Sequence, residues 1–338
     1  MTSRGRVLLV SPAFFGYESA LCRAFEAEGF DVRYVDERPG NSAVVRALLR
    51  VSGRLGRFLT RPYFDAHLRR LSVERFDLVL VIKGEVVPPS FLEGMRQLNP
   101  TARFIYYSYD RIEPGSAALD LFDHMDSLYS FDPRDVARYS RFIHKPLFYS
   151  EEFHPPAEEP PARRHPLAFV GTLHSDRYNF VRQLATGSDA ALLFFYVPAR
   201  WFFAVGKYIT GQFRDVAWHD VSFSKMSKAE VASVFRNSVA VIDLQRTGQR
   251  GLTMRTFEVL ASGALLVTAN AAIRETELYD PAHVLVIDDY RSPAQRERLR
   301  VRLESQAAPG VPAGFDRYSL RNWVGEFIRE VELPGSRD

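Results

Sequence analysis

Apolar residues in the first half of the chain come in short runs separated by stretches with helical spacing. The runs at 7–11, 31–35, 77–83, 103–110, 126–131 and 144–149 read as strands. The stretches at 18–28, 43–59, 89–98 and 133–140 read as helices. Several strands are apolar on both faces, LVLVI at 78–82 most clearly, which suits a parallel sheet covered by helices on each side. Strand and helix alternating at this spacing means stacked βαβ units.

The texture then changes. Residues 154–166 read HPPAEEPPARRHP, and proline at this density continues neither a helix nor an interior strand. A second series follows, with strands expected at 167–173, 191–197, 240–244, 264–268 and 284–287. Helices are expected at 178–184, 228–237, 254–261, 293–305 and 320–331. The organisation expected is an N-terminal domain over 1–152, a Pro-rich linker over 153–166 and a C-terminal domain over 167–318. A last helix over 319–338 is expected to pack back on the first domain. The fold class expected is α/β, two Rossmann-like domains facing a cleft, with ligands at the carboxyl ends of the strands.

The size, 338 residues, allows two such domains. A net charge of +3 gives no global argument for nucleic acid. The single cysteine, Cys22, excludes an intramolecular disulfide framework. No Cys/His cluster has zinc spacing. No window approaches the ~18 uncharged apolar residues needed to span a bilayer, and the N-terminal apolar run is too short for a signal sequence. The expectation is a cytoplasmic protein, with membrane contact only as a peripheral protein on the inner face.

The stretch richest in chemistry is GLTMRTFEVLASGALLVT at 251–268. A glycine turn opens a helix, the helix carries Arg255 and Glu258, and Gly263 ends it before an apolar strand. Backbone N–H groups at a helix start attract anions, and glycine allows a phosphate to come close. Arg255 is placed to pair with a pyrophosphate. Glu258, at i+3, shares its face. A carboxylate there can accept both hydroxyls of a ribose. An Arg–Glu pair at this spacing is equally a common helix-surface ion pair.

This stretch resembles the nucleotide-binding segment of the GT-B glycosyltransferases. It is most similar to the group holding the spore-maturation CgeB-like proteins and the family 1-type capsule and lipopolysaccharide transferases. The residues that carry the resemblance are Gly251, Arg255, Phe257, Glu258, Ala261, Ser262 and Gly263. It implies that Glu258 holds the donor ribose and that the amides of Gly251, Leu252 and Thr253 hold the diphosphate. Eight positions before Glu258, where the wider set often carries an acid, this chain has Arg250. The segment PLAFVGTLHSDR at 166–177 resembles the opening strand and loop of the donor domain. Gly171 and Thr172 would then lie at the cleft edge, with His174 and Arg177 near the donor phosphates. Residues 129–139 and 144–156 resemble the helix leading to the interdomain crossing and the crossing itself. No D-x-D triplet occurs, so no metal is expected, and arginines and helix amides would meet the charge of the leaving diphosphate.

In the first domain the loop SPAFFGYES places Gly16, Tyr17 and Glu18 as acceptor-side candidates. Glu18 is also a first-turn acid favoured by the helix dipole. Asp110 ends an expected strand and is suited to take a proton from an acceptor hydroxyl, or to serve as a turn residue. Lys83 ends the strand before it and is a further acceptor-side candidate, able to contact the acceptor or a donor phosphate, or an ordinary surface lysine. Between 43 and 70, Arg46, Arg50, Arg54, Arg57 and Arg61 recur at helical spacing. They form a stripe suited to an anionic membrane, or a solvated helix face.

These readings converge on a glycosyltransferase that moves a sugar from a nucleotide-diphosphate donor to a hydroxyl of a glycan or lipid-linked acceptor. The setting expected is cell-surface polysaccharide biosynthesis. Asp110 or Glu18 is the base if the reaction inverts. The alternatives are a non-catalytic nucleotide or sugar binder, and a sugar-nucleotide isomerase or hydrolase on the same scaffold.

Overall fold

The computed structural model describes residues 3–14, 16–38, 53–156, 162–188, 190–244 and 251–332. They divide into two compact units: Met1–Leu147 with Tyr318–Asp338, and Phe148–Arg317. Arg46, Arg50 and Arg250, and the side chain of Arg54, lie outside the described residues.

The first unit has six parallel strands, β1 (Gly5–Ser11), β2 (Phe30–Asp36), β3 (Leu78–Ile82), β4 (Arg103–Ser108), β5 (Ser127–Ser130) and β6 (Phe142–His144). Their order is β2-β1-β3-β4-β5-β6. The helices are α1 (Tyr17–Ala27), α2 (Gly53–Leu71), α3 (Pro89–Leu98) and α4 (Pro133–Arg138). Every residue of β3 is buried, as an apolar strand covered on both faces must be. On one face Phe64 of α2 and Phe91, Leu92 and Met95 of α3 pack with Phe104, Tyr106 and Phe122.

Two expectations are corrected here. Only 142–144 pairs as β6, because Pro146 has no N–H to give a ladder. The apolar residues Leu147 and Phe148 are buried in irregular chain instead, and Tyr149 is buried in a single-residue bridge. α2 continues to Leu71 through Pro62, past the boundary expected at Leu59.

The second unit also has six parallel strands, β7 (His165–Thr172), β8 (Leu192–Tyr196), β9 (Val221–Ser222), β10 (Ser238–Asp243), β11 (Leu265–Thr268) and β12 (Val284–Val286). Their order is β12-β11-β10-β7-β8-β9. The helices are α5 (Ser175–Leu184), α6 (Arg200–Ala204), α7 (Lys228–Arg236), α8 (Met254–Ala261) and α9 (Pro293–Glu304). α6 runs on as a π-helical turn over Val205–Ile209. This helical segment and the short β9 are additions to the pattern expected. The boundary between units falls at Leu147/Phe148, so Phe153, buried against Phe235 of α7, belongs to the second unit.

The last described element is α10 (Leu320–Glu332), which belongs to the first unit. It buries Leu320, Trp323, Val324, Phe327 and Ile328 along one face. The Trp323 ring meets Tyr107 of β4 edge-on, and its Nε1 donates to the Pro146 carbonyl at 3.0 Å. Lys145, almost fully buried, pairs with Glu326 beneath the Trp323 and Phe327 rings. Burial pulls its pKa down to about 8, with Glu326 opposing.

Both sheets reverse direction of winding once. In the first unit the reversal lies between β1 and β3, in the second between β7 and β10. Ligands of open parallel sheets bind beyond the strand carboxyl ends at these points. The residues just after Ser11, Ile82, Thr172 and Asp243 are therefore the ones to inspect.

Candidate functional site

In the second unit β10 ends on Asp243, whose side chain is 2% exposed. Thr256 and Thr253 donate their hydroxyls to its Oδ2 at 2.8 and 3.2 Å. Burial pushes the Asp243 carboxyl up; the Arg255 charge is the largest opposing influence, followed by Thr256, Thr253 and Arg177. Asp243 is thus the point at which Arg255, from the start of α8, and Arg177, from the first turn of α5, act together. Thr253 is the N-cap residue of α8, but its hydroxyl turns to Asp243 and makes no side-chain cap bond. The amides at the start of α8, after Gly251 and Leu252, stand at the same strand end.

Glu258 is 3% exposed, so with Arg255 it does not form a solvent-facing helix-surface pair. The Arg255 guanidinium lies over the Phe235 ring, 5.5 Å from its centroid. Gly263 closes α8 with φ 71°, and a Cβ there would meet the Gly310 backbone at 3.1 Å. Arg163 donates to the carbonyls of Ser238, Ser262 and Gly263, tying the strand before the site to the helix after it. The A-S-G triplet therefore serves the packing of α8.

On the β7 side, Gly171 and Thr172 are the last strand residues and pair with Phe195 and Tyr196 of β8. His174 is the extended N-cap residue of α5 and is exposed. The sequence thus places Arg177, Thr253 and Arg255 around one point, with Asp243 as the residue it missed. The signal was present: an apolar strand ending in an acid, then threonines at i and i+3 on the next helix start. A hollow of about 700 Å³ lies elsewhere in this unit, lined by Arg182, Gln183, Phe195 and Asp220, and holds none of these residues.

In the first unit the chain leaves β1 at Ser11 and turns at Gly16, φ 76°, into α1. Tyr17 opens that helix, its amide bonding the Phe14 carbonyl at 3.1 Å. The Glu18 carboxylate accepts the Phe14 amide at 3.0 Å. It therefore shapes this loop, the structural alternative to the role of base.

Lys83, just past β3, has φ 72°, an unusual conformation for a residue with a Cβ. Its amide donates to the Tyr107 carbonyl and its carbonyl accepts the Tyr106 hydroxyl, which hold the strained turn. The ammonium lies 2.7 Å from Asp110 Oδ2 and 3.5 Å from Glu85 Oε1. Burial lowers the Lys83 pKa, but Asp110, Glu85 and Glu37 together raise it, so the ammonium stays charged.

Glu37, one residue past β2, is wholly buried, and neither carboxylate oxygen has a hydrogen-bond partner among the described residues. Burial, then the Glu85 charge, pushes its pKa up to about 8, against the pull of the Arg38 guanidinium, 3.9 Å away, and of Lys83. The structure thus joins Lys83 to Asp110 and adds Glu37 and Glu85. Glu37 escaped the sequence reading because an acid after a strand looks like an ordinary turn residue.

The basic stripe is corrected. Arg57 is 7% exposed, and its Nη1 lies 2.7 Å from Asp120 Oδ2. An inward, paired arginine cannot belong to a solvent-facing stripe; Arg61 is exposed. Among the described residues no group of His, Cys, Asp and Glu is arranged to hold a metal ion, and no helix is long and apolar enough to cross a membrane.

Comparison with known proteins gives three results. Residues 194–304 match the family model described as glycosyl transferase-like. No curated protein sequence matches the chain. Solved structures match over nearly its whole length. Anabaena Alr3699/HepE, solved with UDP-glucose, has a TM-score of 0.61 at 10% identity, covering 97% of this chain and 100% of that one. AviGT4, a glycosyltransferase of avilamycin A biosynthesis, gives 0.58 at 13% identity, with 97% of each chain covered. The UDP-forming α,α-trehalose-phosphate synthase of Burkholderia xenovorans gives 0.58 at 12% identity, covering 97% and 100%. The fold is that of the GT-B glycosyltransferases, two Rossmann-like domains, and a third of the chain, within the second of them, is glycosyl transferase-like in sequence.

Proposed function

We propose that the protein is a glycosyltransferase that takes a sugar from a nucleotide-diphosphate donor to a hydroxyl of a glycan or lipid-linked acceptor. The setting proposed is cell-surface polysaccharide biosynthesis, as in the CgeB-like and capsule or lipopolysaccharide group. The observation that carries the reading is the start of α8, with Arg255, fixed to the end of β10 by the Thr253 and Thr256 hydrogen bonds to Asp243 at the winding reversal of the second unit, where the charges of Arg255 and Arg177 both act on that carboxylate. Two guanidinium groups beside helix-start amides suit a diphosphate.

In the reaction the bond from the sugar C1 to the diphosphate oxygen breaks, and the acceptor oxygen bonds to C1. The acceptor proton goes to a base, and the electron pair of the broken bond leaves on the diphosphate. Arg177, Arg255 and the amides at 251–255 stabilise that charge. Glu258 accepts from the ribose hydroxyls. Asp110 is favoured over Glu18 as the base of an inverting reaction, because the Glu18 carboxylate is already engaged by the Phe14 amide. Asp110 must part from Lys83 to take the proton, so an acceptor carrying an anionic group near its hydroxyl would free it. Positive charge from arginine makes metal unnecessary for the leaving group, so a chelator is expected to leave turnover unchanged.

The test is release of nucleoside diphosphate from UDP-, GDP- and CDP-sugars with and without candidate acceptors. UDP-glucose comes first because Alr3699/HepE is solved with it. Acceptor-dependent release with a new glycosidic product supports the reading. Release without acceptor identifies a hydrolase, and binding without release a non-catalytic binder.

A further inference from the structure

Six of the twelve large hydrophobic residues exposed among the described residues fall between 201 and 218, so they form a patch and not a scatter. Trp201, Phe202, Val205, Tyr208 and Ile209 are exposed at 70, 40, 36, 68 and 78%. Their spacing of one, three, three and one residues is that of a single face of the continuous helical segment made by α6 and its π turn. The opposite side is fixed in the core. Phe203 is fully buried and stacks on Phe213, and a Cβ on Gly206 would strike the Phe213 ring at 2.3 Å. This helix is amphipathic in the reverse sense: small or aromatic residues anchor it inside, and its bulky apolar face is turned outward.

Trp218 extends the patch, and its indole Nε1 donates to the Tyr208 hydroxyl at 3.0 Å. Aromatic side chains with a polar tip on an apolar body favour the boundary between lipid and water. The surroundings are basic. Arg200, Lys207, Arg214 and Lys225 stand against Asp215 and Asp220 within 198–226, and Asp220 is occupied by the Tyr178 hydroxyl at 2.6 Å. Arg200 rides over Phe223, which touches Phe203 and Trp218. Lys207 is pinned by the Arg214 and Val216 carbonyls, which keeps its charge beside the patch.

We infer that this face is a membrane-docking surface, and that its occupant is the interface of a bilayer containing anionic lipid. Trp201, Tyr208 and Ile209 enter the headgroup boundary while Arg200, Arg214 and Lys225 meet lipid phosphates. The surface is built from residues other than the arginines of α2, and its test needs no donor or acceptor, so it stands or falls apart from the transferase reading.

The experiment is co-flotation of the full chain with vesicles of phosphatidylcholine alone, or with a third of the lipid replaced by phosphatidylglycerol. Tryptophan fluorescence is read in parallel. The chain has three tryptophans; Trp323 is buried, so a lipid-dependent change reports Trp201 and Trp218. The expected result is binding to the anionic vesicles with a blue shift and quenching by brominated lipid. The double variant Trp201→Glu, Ile209→Glu reduces binding at least tenfold with an unchanged melting curve, and Val301→Glu, an exposed valine on α9, leaves it unchanged. Three results would overturn the inference: no binding to anionic vesicles; binding that survives the double variant but is lost in Arg61→Glu, which would move the surface to α2; or a wild-type dimer that the double variant makes monomeric without any vesicle binding.

Discussion

The two winding reversals use the same scaffold for opposite charge patterns. In the second unit the charges of two arginines, Arg255 and Arg177, act on one buried carboxylate, Asp243, whose Oδ2 accepts the Thr253 and Thr256 hydroxyls. The edge has positive charge to spare and suits an anion. In the first unit a single ammonium, Lys83, sits among Asp110, Glu85 and Glu37. That edge has carboxylate to spare and suits proton transfer from a hydroxyl. Parallel sheets of similar order provide the place, and the few residues past each strand decide the chemistry.

The comparison breaks first at Asp110. Asp110→Asn is expected to lower kcat by about 10²–10⁴, the usual contribution of a general base, with nucleotide affinity unchanged. Steady-state kinetics beside a binding titration check this; undiminished turnover would remove the base from this edge. The next effect is at Arg255. Arg255→Ala is expected to weaken nucleoside diphosphate binding by about 10–100-fold, since hydrogen bonds to charged groups contribute ~1.5–3 kcal/mol. Titration against the wild type reads it, and equal affinity would mean the surplus charge is not for an anion.

Glu37 sharpens the contrast through pH. Its folded pKa of about 8 lies above the ordinary carboxylate value of 4.5. The folded protein therefore holds a proton that the unfolded chain releases between those limits, so this contribution is present at pH 4.5 and below and is lost as pH rises towards 8. Glu37→Gln removes that dependence and is expected to be more stable than wild type at pH 8 by ~1–3 kcal/mol, because a neutral amide avoids the desolvation of the buried carboxylate charge. Urea midpoints at pH 5 and pH 8 measure it; parallel slopes for the two proteins would contradict it. The smallest effect concerns the scaffold. Gly263→Ala puts a Cβ at φ 71° against Gly310 and is expected to destabilise by ~1–2 kcal/mol, with nucleotide affinity nearly unchanged in the folded fraction. A large loss of affinity at full stability would give Gly263 a part in binding.

Much of this architecture was legible in the chain. β3 is apolar on both faces, Pro89 starts a helix, and Met254–Ala261 keeps its expected bounds. These are places where local periodicity and burial agree. Legibility failed where they part. Leu147 and Phe148 are apolar because they are buried, not because they pair, and Pro146 was the overlooked signal. Arg57 shares the spacing of its neighbours but turns inward to Asp120, a partner 63 residues away that no helical wheel can show. The segment 200–209 carries apolar residues on both faces, which erases the period that would have marked a helix. At the sites, Arg177, Arg255 and Lys83 were visible as residue types at strand and helix ends. Asp243 and Glu37 were hidden because their importance lies in burial, and burial of a carboxylate comes from tertiary contacts.

In the proposed function the second unit holds a nucleoside diphosphate at the carboxyl ends of β7 and β10. Calorimetric titration of UDP, GDP, CDP and CMP into the wild type and into Arg255→Ala tests it most directly. One diphosphate is expected to bind the wild type, the mismatched bases and CMP to bind weakly, and Arg255→Ala to lose most of the affinity while keeping its melting temperature. Absence of binding by every nucleotide, or equal binding by the folded variant, would contradict it.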